Sequence, residues 1–266
     1  MADADISAPQ NSLIQGHRFT KYDSIENPRD KWVQRMFAES EKDPDVPFVV
    51  TEKVHGTNFS FHVPVPLPVR RGDFSGVRIA KRSSFLTDGT TEAEKFFGCQ
   101  HTAKKYMERI CMCASDVLDR LTPDDGKGDR LVGIVFYGEL LGGSFHGFST
   151  NNAPIQKRMH YTPSHEFYCF DVCLMHRQEE DPGTAGPHAQ RTYLSHDLLS
   201  GVCEARAVLY AKELFRGSLG AALEWSARHK NDPTGIPDML GLALPGGISE
   251  HCQREGHVIK PTQPMY

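Results

Sequence analysis

Two runs of β-type residues flank a short glycine turn near residue 55, and they constrain the fold more than any other feature of the chain. The first run is Phe48-Val49-Val50-Thr51, and the second is Phe59-Ser60-Phe61-His62-Val63. Both are rich in aromatic and β-branched residues, and His55-Gly56-Thr57 separates them. Such runs on either side of a turn predict two strands. Lys53 lies between them, at the end of the first strand.

Further strand and helix patterns follow along the chain. The segments predicted as strands are Val77 to Arg82, Leu131 to Leu140, Phe167 to Cys173 and Gly256 to Lys260. A long helix is predicted where apolar residues recur in steps of four and three: Tyr106, Ile110, Cys113, Val117 and Leu121. Ser195 and Ser218 are predicted to cap two more helices.

The charge balance of the chain excludes one class of protein. The 266 residues include 30 Lys and Arg against 34 Asp and Glu, a formal net charge of −4. A general nucleic-acid coating protein carries a global basic field, so any site for a polyanion here must be local. No run approaches the ~18 apolar residues of a membrane span, and we expect no membrane partner. The acidic N-terminus favours a cytoplasmic or nuclear location over a targeting presequence.

Lys53 has two interpretations. It lies in the run Glu52-Lys53-Val54-His55-Gly56-Thr57-Asn58, at a strand end before a turn with polar side chains. One interpretation is a surface lysine beside a β-hairpin. The other is a nucleophile, because a lysine amine attacks once desolvation or neighbouring positive charge lowers its pKa. Arg82 and Lys260 are the candidate positive neighbours, provided that the fold brings them close.

Six blocks of the sequence, in order, resemble the RNA ligase 2 family, the phage-type and kinetoplastid-editing RNA ligases of the covalent nucleotidyltransferase superfamily. The run around Lys53 is similar to the nucleophile motif of that family, with His55 where DNA ligases and capping enzymes carry Asp. The other blocks are Lys21 to Asn27, Ala80 to Arg82, Phe136 to Glu139, Glu166 to Asp171 and Glu255 to Pro261. Their joint order across residues 21–261 is far more specific than any single block.

The resemblance implies an ATP-dependent RNA ligase that joins RNA 5′-phosphate and 3′-hydroxyl ends through a lysyl-AMP intermediate. It implies ATP and Mg²⁺ (or Mn²⁺) as cofactors, RNA as a nicked duplex or free ends as partner, and an RNA-repair or editing complex as setting. It also implies an α+β fold class, with a nucleotidyltransferase domain of the ATP-grasp-like adenylation type in which helices flank antiparallel sheets. Phosphoryl transfer needs positioning, charge neutralisation and a divalent metal, which suits these residue types.

The family motifs assign roles to individual residues of this chain. Four residues are expected to be catalytic: Lys53, Glu139, Glu255 and Lys260. Glu139 and Glu255 are also expected to hold the metal or its water. The expected nucleotide-binding residues are Ile25, Glu52, Val54, His55, Asn58, Arg82 and Phe170, with Phe170 stacking on adenine.

Some of these residues, and the basic residues nearby, have simpler interpretations. Phe170 lies in an apolar strand and, taken alone, is more typical of a core residue. Asp171 follows it, and alternation along a strand predicts that Asp171 points to the opposite face, where its role is structural. A basic cluster predicts a local patch for RNA phosphates, although such clusters are usually only solvated faces: Arg70, Arg71, Arg78, Lys81, Arg82, Lys104, Lys105 and Arg109.

The C-terminal end departs from the family pattern. Relatives continue after the Glu-Gly-x-x-x-Lys block into a strand with paired lysines, and many add a C-terminal domain, whereas this sequence ends at Tyr266. We expect residues 1–17 to be a flexible tail and residues 18–266 an adenylyltransferase domain truncated before the last lysine-bearing motif, with no C-terminal domain. Three functions stay open: an active RNA ligase, a truncated or degenerate member that binds ATP or RNA without efficient sealing, and a DNA ligase or GTP-using capping enzyme, against which His55 argues.

Overall fold

The computed structural model describes residues 19, 21–22, 38, 46–67, 72–86, 95–121, 131–145, 148, 152–177, 190–242 and 252–263. The predicted tail at residues 1–17 lies outside this set. The strands are β1 (Phe48–Lys53), β2 (Thr57–Pro64), β3 (Arg78–Lys81), β4 (Phe85–Leu86), β5 (Leu131–Ser144), β6 (Thr162–His176), β7 (Gln190–Tyr193), β8 (Glu213–Gly217) and β9 (Gly256–Pro261). The helices are α1 (Cys99–Arg120), α2 (His196–Ala205), α3 (Leu219–Arg228) and α4 (Ile236–Met239). Among these helices of the described residues, none combines the length and hydropathy that a membrane crossing needs.

The strands form two antiparallel sheets. One has six strands in the order β4-β3-β2-β5-β6-β7, and the other has three in the order β8-β1-β9. β1 and β2 are consecutive in the chain but belong to different sheets, so residues 54–56 carry the chain from one sheet to the other. The interpretation of Lys53 as a lysine beside a hairpin is therefore wrong. Lys53 ends its strand at the junction of two sheets.

The larger sheet buries one face against α1. Tyr106, Ile110, Cys113 and Val117 of α1 are all buried, at the predicted spacing of four, three and four residues. They belong to a core cluster with inward-facing residues of β2, β5 and β6. Burial of a large apolar side chain contributes roughly 1.5–3 kcal/mol to the stability of the fold. This cluster therefore holds α1 firmly against one face of the larger sheet.

The smaller sheet is covered on one face by α3. Ser195 and Ser218 cap α2 and α3 as predicted, since their side chains accept hydrogen bonds from the backbone N–H groups of Leu198 and Ala221. Ala222 of α3 packs against apolar residues at alternate positions of β1. Thr51, Glu52 and Lys53, at the end of β1, line a cleft where the two sheets meet.

A bulge in β6 changes the direction of two side chains. Tyr137 of β5 pairs with Asp171, and the next residue, Gly138, pairs with Cys169, so Phe170 is an extra residue in β6. A bulge interrupts the alternation of side chains along a strand. Phe170 and Asp171 accordingly line the same cleft. The expectation that Asp171 faces away from Phe170 is wrong for this reason.

Candidate active site

A cleft of about 480 Å³ lies where the two sheets meet. Its volume falls within the ~300–1,000 Å³ that is typical of small-molecule and cofactor sites. Every predicted site residue that the structure describes lines this cleft: Lys53, Glu139, Glu255, Lys260, Glu52, Val54, His55, Asn58, Arg82 and Phe170. Ile25 lies outside the described residues, so its contact with the nucleotide stays a prediction.

Lys53 forms an ion pair with Glu255. Its Nζ donates to Glu255 Oε1, and His55 Nδ1 lies 3.6 Å from Glu255 Oε2. The register of the small sheet causes this meeting, because Lys53 of β1 pairs with Gly256 of β9, the neighbour of Glu255. The Lys53 side chain is 36% exposed, so a molecule that enters the cleft can reach its amine.

Three contacts fix the turn that follows Lys53. The His55 N–H donates to Tyr161 Oη at 2.9 Å, and Gln156 Nε2 donates to the Gly56 carbonyl at 2.9 Å. On the third side the turn lies against β5. A Cβ atom on Gly56 would lie 2.7 Å from the carbonyl oxygen of Leu140 and 2.9 Å from Glu139 Oε2. Only glycine permits this close approach of backbone to backbone.

Glu139, on β5, is an acid whose charge is strongly disfavoured. Burial, followed by the negative charge of Glu255, raises its pKa to about 8, and the positive charges of Lys53 and Arg82 oppose that rise. Its Oε2 is buried and accepts no hydrogen bond from the described residues. A buried oxygen without a partner is costly unless a ligand supplies one. Oε2 of Glu139 is therefore a candidate ligand atom for a cation.

Glu139 and Glu255 fit a divalent metal as two carboxylate ligands. Mg²⁺ is commonly held by one or two protein carboxylates together with water and phosphate oxygens, and the unpaired oxygen of Glu139 suits such a role. In the described part of the chain, no group of three or more His, Cys, Asp and Glu side chains is arranged to hold a metal by itself. A metal here would therefore depend on the phosphates of a bound nucleotide for its remaining ligands.

The part of the cleft around Phe170 combines aromatic rings with a polar bridge. The ring of Tyr22 meets that of Phe170 edge-on, with centroids 4.9 Å apart, and its hydroxyl donates to Asp171 Oδ2 at 2.9 Å. Lys260 Nζ donates to the Phe170 carbonyl at 2.9 Å and lies 3.4 Å from Asp171 Oδ1. The half-buried Phe170 ring lines the cleft, as a ring that stacks on a nucleobase must.

Glu52 borders the cleft, but its carboxylate oxygens are engaged within the protein. Thr234 Oγ1 and the Gly235 N–H donate to them, and Arg254 Nε lies 3.6 Å from Oε2. Burial raises the pKa of Glu52, and these hydrogen bonds oppose the rise. The side chain therefore anchors the strand next to Lys53, and a nucleotide contact of Glu52 stays a prediction.

Three members of the predicted basic patch have partners inside the protein. Lys105 Nζ donates to both oxygens of Glu166, at 2.5 and 2.6 Å. Arg78 lies over the Phe85 ring, and Arg109 donates to the carbonyl of Ala207. Arg70 and Arg71 lie outside the described residues. Of the described members of the cluster, Arg82 alone lines the cleft.

The structure adds site residues that the sequence did not single out. Tyr22 and Gln156 line the cleft, and Tyr161 holds the turn after Lys53. The signal for Tyr22 was its place beside Ile25 in the N-terminal block. Gln156 and Tyr161 lie in a polar loop without periodicity, so no sequence signal marked them.

Together these side chains suit attack of an amine on a phosphate. Lys53 supplies the amine, and two carboxylates next to it can hold a divalent cation. Arg82 and Lys260 place positive charge on the cleft walls, where they can neutralise phosphate oxygens. The only aromatic side chains on those walls, among the described residues, are Tyr22, Tyr168 and Phe170.

Comparison with known proteins gives relatives along most of the chain. A family model described as RNA ligase matches residues 46–265. The protein "RNA-editing ligase 1, mitochondrial" of Trypanosoma brucei brucei is 25% identical over 255 residues, and the match covers 87% of this chain and 49% of that protein. The chain thus spans about half the length of the curated relatives that it matches.

Solved structures share the fold. An apo mutant of a Naegleria gruberi RNA ligase has a TM-score of 0.52 and 16% identity, over 93% of this chain and 54% of that chain. A mutant of a Naegleria gruberi RNA ligase with AMP and Mn has a TM-score of 0.50 and 16% identity, over 92% of this chain and 53% of that chain. This likeness confirms the predicted class, an α+β fold with antiparallel sheets flanked by helices.

Proposed function

Because the chain belongs to the RNA ligase family, we propose that it joins RNA 5′-phosphate and 3′-hydroxyl ends by way of an AMP group carried covalently on Lys53. The observation that carries the proposal is the ion pair of Lys53 with Glu255 in the cleft that Glu139 also lines. Each of these three residues comes from a different block of the family pattern, and the fold brings them together.

The proposed reaction has three steps. The Lys53 amine attacks the α-phosphorus of ATP, which forms a P–N bond and releases pyrophosphate. An oxygen of the RNA 5′-phosphate then attacks the same phosphorus, so the P–N bond breaks and AMP becomes attached to the RNA through a P–O–P linkage. Finally the 3′-hydroxyl attacks the RNA phosphate, loses its proton and displaces AMP.

The side chains around Lys53 have distinct tasks in the first step. An ammonium group cannot attack, so Lys53 must lose a proton, and Glu255 is the carboxylate in contact with it. Arg82 neutralises phosphate oxygens as charge shifts to the leaving pyrophosphate. Phe170 and Tyr22 flank the base. A divalent cation at Glu139 and Glu255 would supply further positive charge at the phosphates.

The relatives support finer proposals about partners and cofactors. Naegleria gruberi RNA ligase mutants have been solved with AMP and Mn and with ATP and Mn, which supports ATP with Mg²⁺ or Mn²⁺ here. The trypanosome relative carries the name of an RNA-editing ligase. That name supports an RNA-repair or editing complex as the setting, with a nicked duplex or free RNA ends as substrate.

The test is covalent labelling with ATP that carries the label on its α-phosphate. In the presence of Mg²⁺ or Mn²⁺, we expect AMP to remain on the denatured wild-type chain and to be absent from Lys53→Ala. Lys230→Ala, which removes an exposed lysine at the end of α3, is the matched control and should label fully.

Sealing of a nicked RNA duplex, assayed on the same preparations, separates a ligase from a member that only binds. Label on Lys53→Ala equal to that of wild type would contradict the assignment of the nucleophile. Stronger labelling by GTP than by ATP would favour a capping enzyme.

A further inference from the structure

The loop between β5 and β6 is seated directly on the turn that follows Lys53. Within residues 152–161, Gln156 binds the Gly56 carbonyl, and Tyr161 accepts from the His55 N–H. Ile155 is buried, and its N–H donates to the Gly142 carbonyl at 3.0 Å. The loop is thus anchored to β5 and to the turn at once, and its place relative to the nucleophile is fixed.

Two basic residues follow Gln156 in this loop. Gln156 lines the cleft, whereas Lys157 and Arg158, one and two residues further on, do not and are exposed. Arg158 has a φ of 68°, a left-handed conformation that a residue with a side chain keeps only where its surroundings impose it. The contacts of Gln156 and Tyr161, on either side of Arg158, provide that constraint. The backbone that carries Lys157 and Arg158 is therefore held in place beside the mouth of the cleft.

The charges of this pair are not used inside the protein. Several other basic side chains have acidic partners, as in the pairs Lys53–Glu255, Lys105–Glu166, Arg206–Asp116 and Arg216–Asp197. In the described part of the chain, by contrast, neither the Lys157 nor the Arg158 side chain forms a hydrogen bond or an ion pair. Both are therefore available to an anion from outside.

We infer that Lys157 and Arg158 bind backbone phosphates of the RNA strand whose end is brought to Lys53. The inference rests on the proposed function. Residues inside the cleft contact the nucleotide, while the strand that accepts AMP must approach from the rim, where these two residues lie. A chain with a net charge of −4 needs local cations to hold a polyanion. Three members of the basic cluster expected from the sequence, Arg78, Lys105 and Arg109, have partners inside the protein.

The experiment compares two double variants of the full chain with equal loss of charge. Lys157→Ala/Arg158→Ala removes the proposed phosphate contacts, and Arg228→Ala/Lys230→Ala removes two exposed basic residues at the end of α3. Binding of a fluorescent nicked RNA duplex with a 5′-phosphate is measured without ATP, by anisotropy, at several salt concentrations. Self-adenylation with ATP is measured on the same proteins, and thermal melting checks that each is folded.

For Lys157→Ala/Arg158→Ala we expect weaker RNA binding and a slope of log K against log salt that is shallower by about 1.8, since each lost duplex phosphate contact contributes about 0.9. The KM for ATP in self-adenylation should stay unchanged. The control should bind RNA as the wild type does, apart from a small shift common to any loss of charge.

Three results would overturn the inference: an unchanged salt slope, an equal fall in the control, or a raised KM for ATP, which would assign the pair to the nucleotide's phosphates. If the proposed function itself is wrong, the result differs from all three, because the wild-type chain would then carry no AMP on Lys53.

Discussion

Gly56 sets how closely the turn after Lys53 approaches β5. The space where its side chain would begin is already occupied by the Leu140 carbonyl and the carboxyl group of Glu139. Its own carbonyl accepts the hydrogen bond from Gln156. One residue without a side chain therefore controls the separation between the nucleophile's turn and the acid with the unpaired oxygen.

Gly56→Ala should displace this turn. A Cβ atom within 3 Å of a backbone oxygen is not tolerated, so either the turn or β5 must move. We expect AMP labelling of Lys53 to fall about 10²-fold, the loss that a misplacement of about 1 Å can cause. Gly220→Ala is the matched control, because no heavy atom lies within 4 Å of the added Cβ in α3. Full labelling of Gly56→Ala would show that the spacing is not critical.

At the scale of elements, two ion pairs join the end of β1 to the segment that leads into β9. Lys53 pairs with Glu255. Glu52, the preceding residue of β1, meets Arg254, two residues before β9. Arg254 also lies 3.3 Å from His257 Nε2 and 3.9 Å from Asp232 Oδ2. This ionic contact links the end of β1 to the start of β9, next to the pair of Lys53 and Glu255.

Arg254→Met should destabilise the fold, because it leaves the buried Glu52 without its positive partner. We expect the free energy of unfolding, measured with urea, to fall by about 3 kcal/mol, as for other broken buried pairs. Glu52→Gln/Arg254→Met leaves neither charge and should recover much of that loss. Arg228→Met, at an exposed site in α3, should change stability by less than about 0.5 kcal/mol. Losses that simply add in the double variant would show that the two residues do not interact.

The local elements could be predicted from the sequence because their causes are local. Alternating β-branched and aromatic residues identified β1 and β2, and the spacing from Tyr106 to Val117 identified α1. Ser195 and Ser218 could be assigned as caps because an N-cap needs only a side-chain oxygen and the next turn of backbone. The ordered motifs then identified the cleft residues from Lys53 to Lys260, since their order is a property of the sequence itself.

Features that depend on distant pairing were not predictable in this way. Nothing in residues 48–63 shows that β1 and β2 enter different sheets, since that depends on β8 and β9. The bulge at Phe170 depends on the register with β5, so simple alternation misplaced Asp171. The internal contacts of Lys105 and Arg109 could not be predicted for a similar reason, because their partners come from β6 and residue 207.

At the scale of the whole molecule, the meeting of two sheets concentrates acids in one place. Glu52, Glu139 and Glu255 all border the cleft. Glu52 accepts hydrogen bonds from its neighbours, and Glu255 pairs with Lys53. Glu139, in contrast, is half-buried, and its buried Oε2 accepts no hydrogen bond from the described residues. Burial and the negative charge of Glu255 therefore raise the pKa of Glu139 and favour its protonated form.

The pH dependence of stability should report this proton. Folded Glu139 has a pKa of about 8, against 4.5 for the free side chain. Between these values the folded chain binds more protons than the unfolded chain, so Glu139 lowers the free energy of unfolding as pH rises from 4.5 to 8. Glu139→Gln should lose less stability than wild type between pH 5 and pH 8, measured by urea unfolding in EDTA without ATP. Parallel pH profiles would contradict a raised pKa.

The pairing of β1 with β9 also affects folding during synthesis, because the ribosome makes these two strands at widely separated times. Lys53 and Glu255 are 202 positions apart in the chain. At a synthesis rate of ~5–20 residues per second, roughly 10–40 s separate the emergence of the lysine from that of its carboxylate. Throughout that interval β1 has an unpaired edge on the side that β9 will occupy. In a nascent chain, Lys53 therefore lacks the carboxylate of Glu255 until β9 is made. Pairing of β9 with β1 then completes the small sheet and brings Glu255 to Lys53.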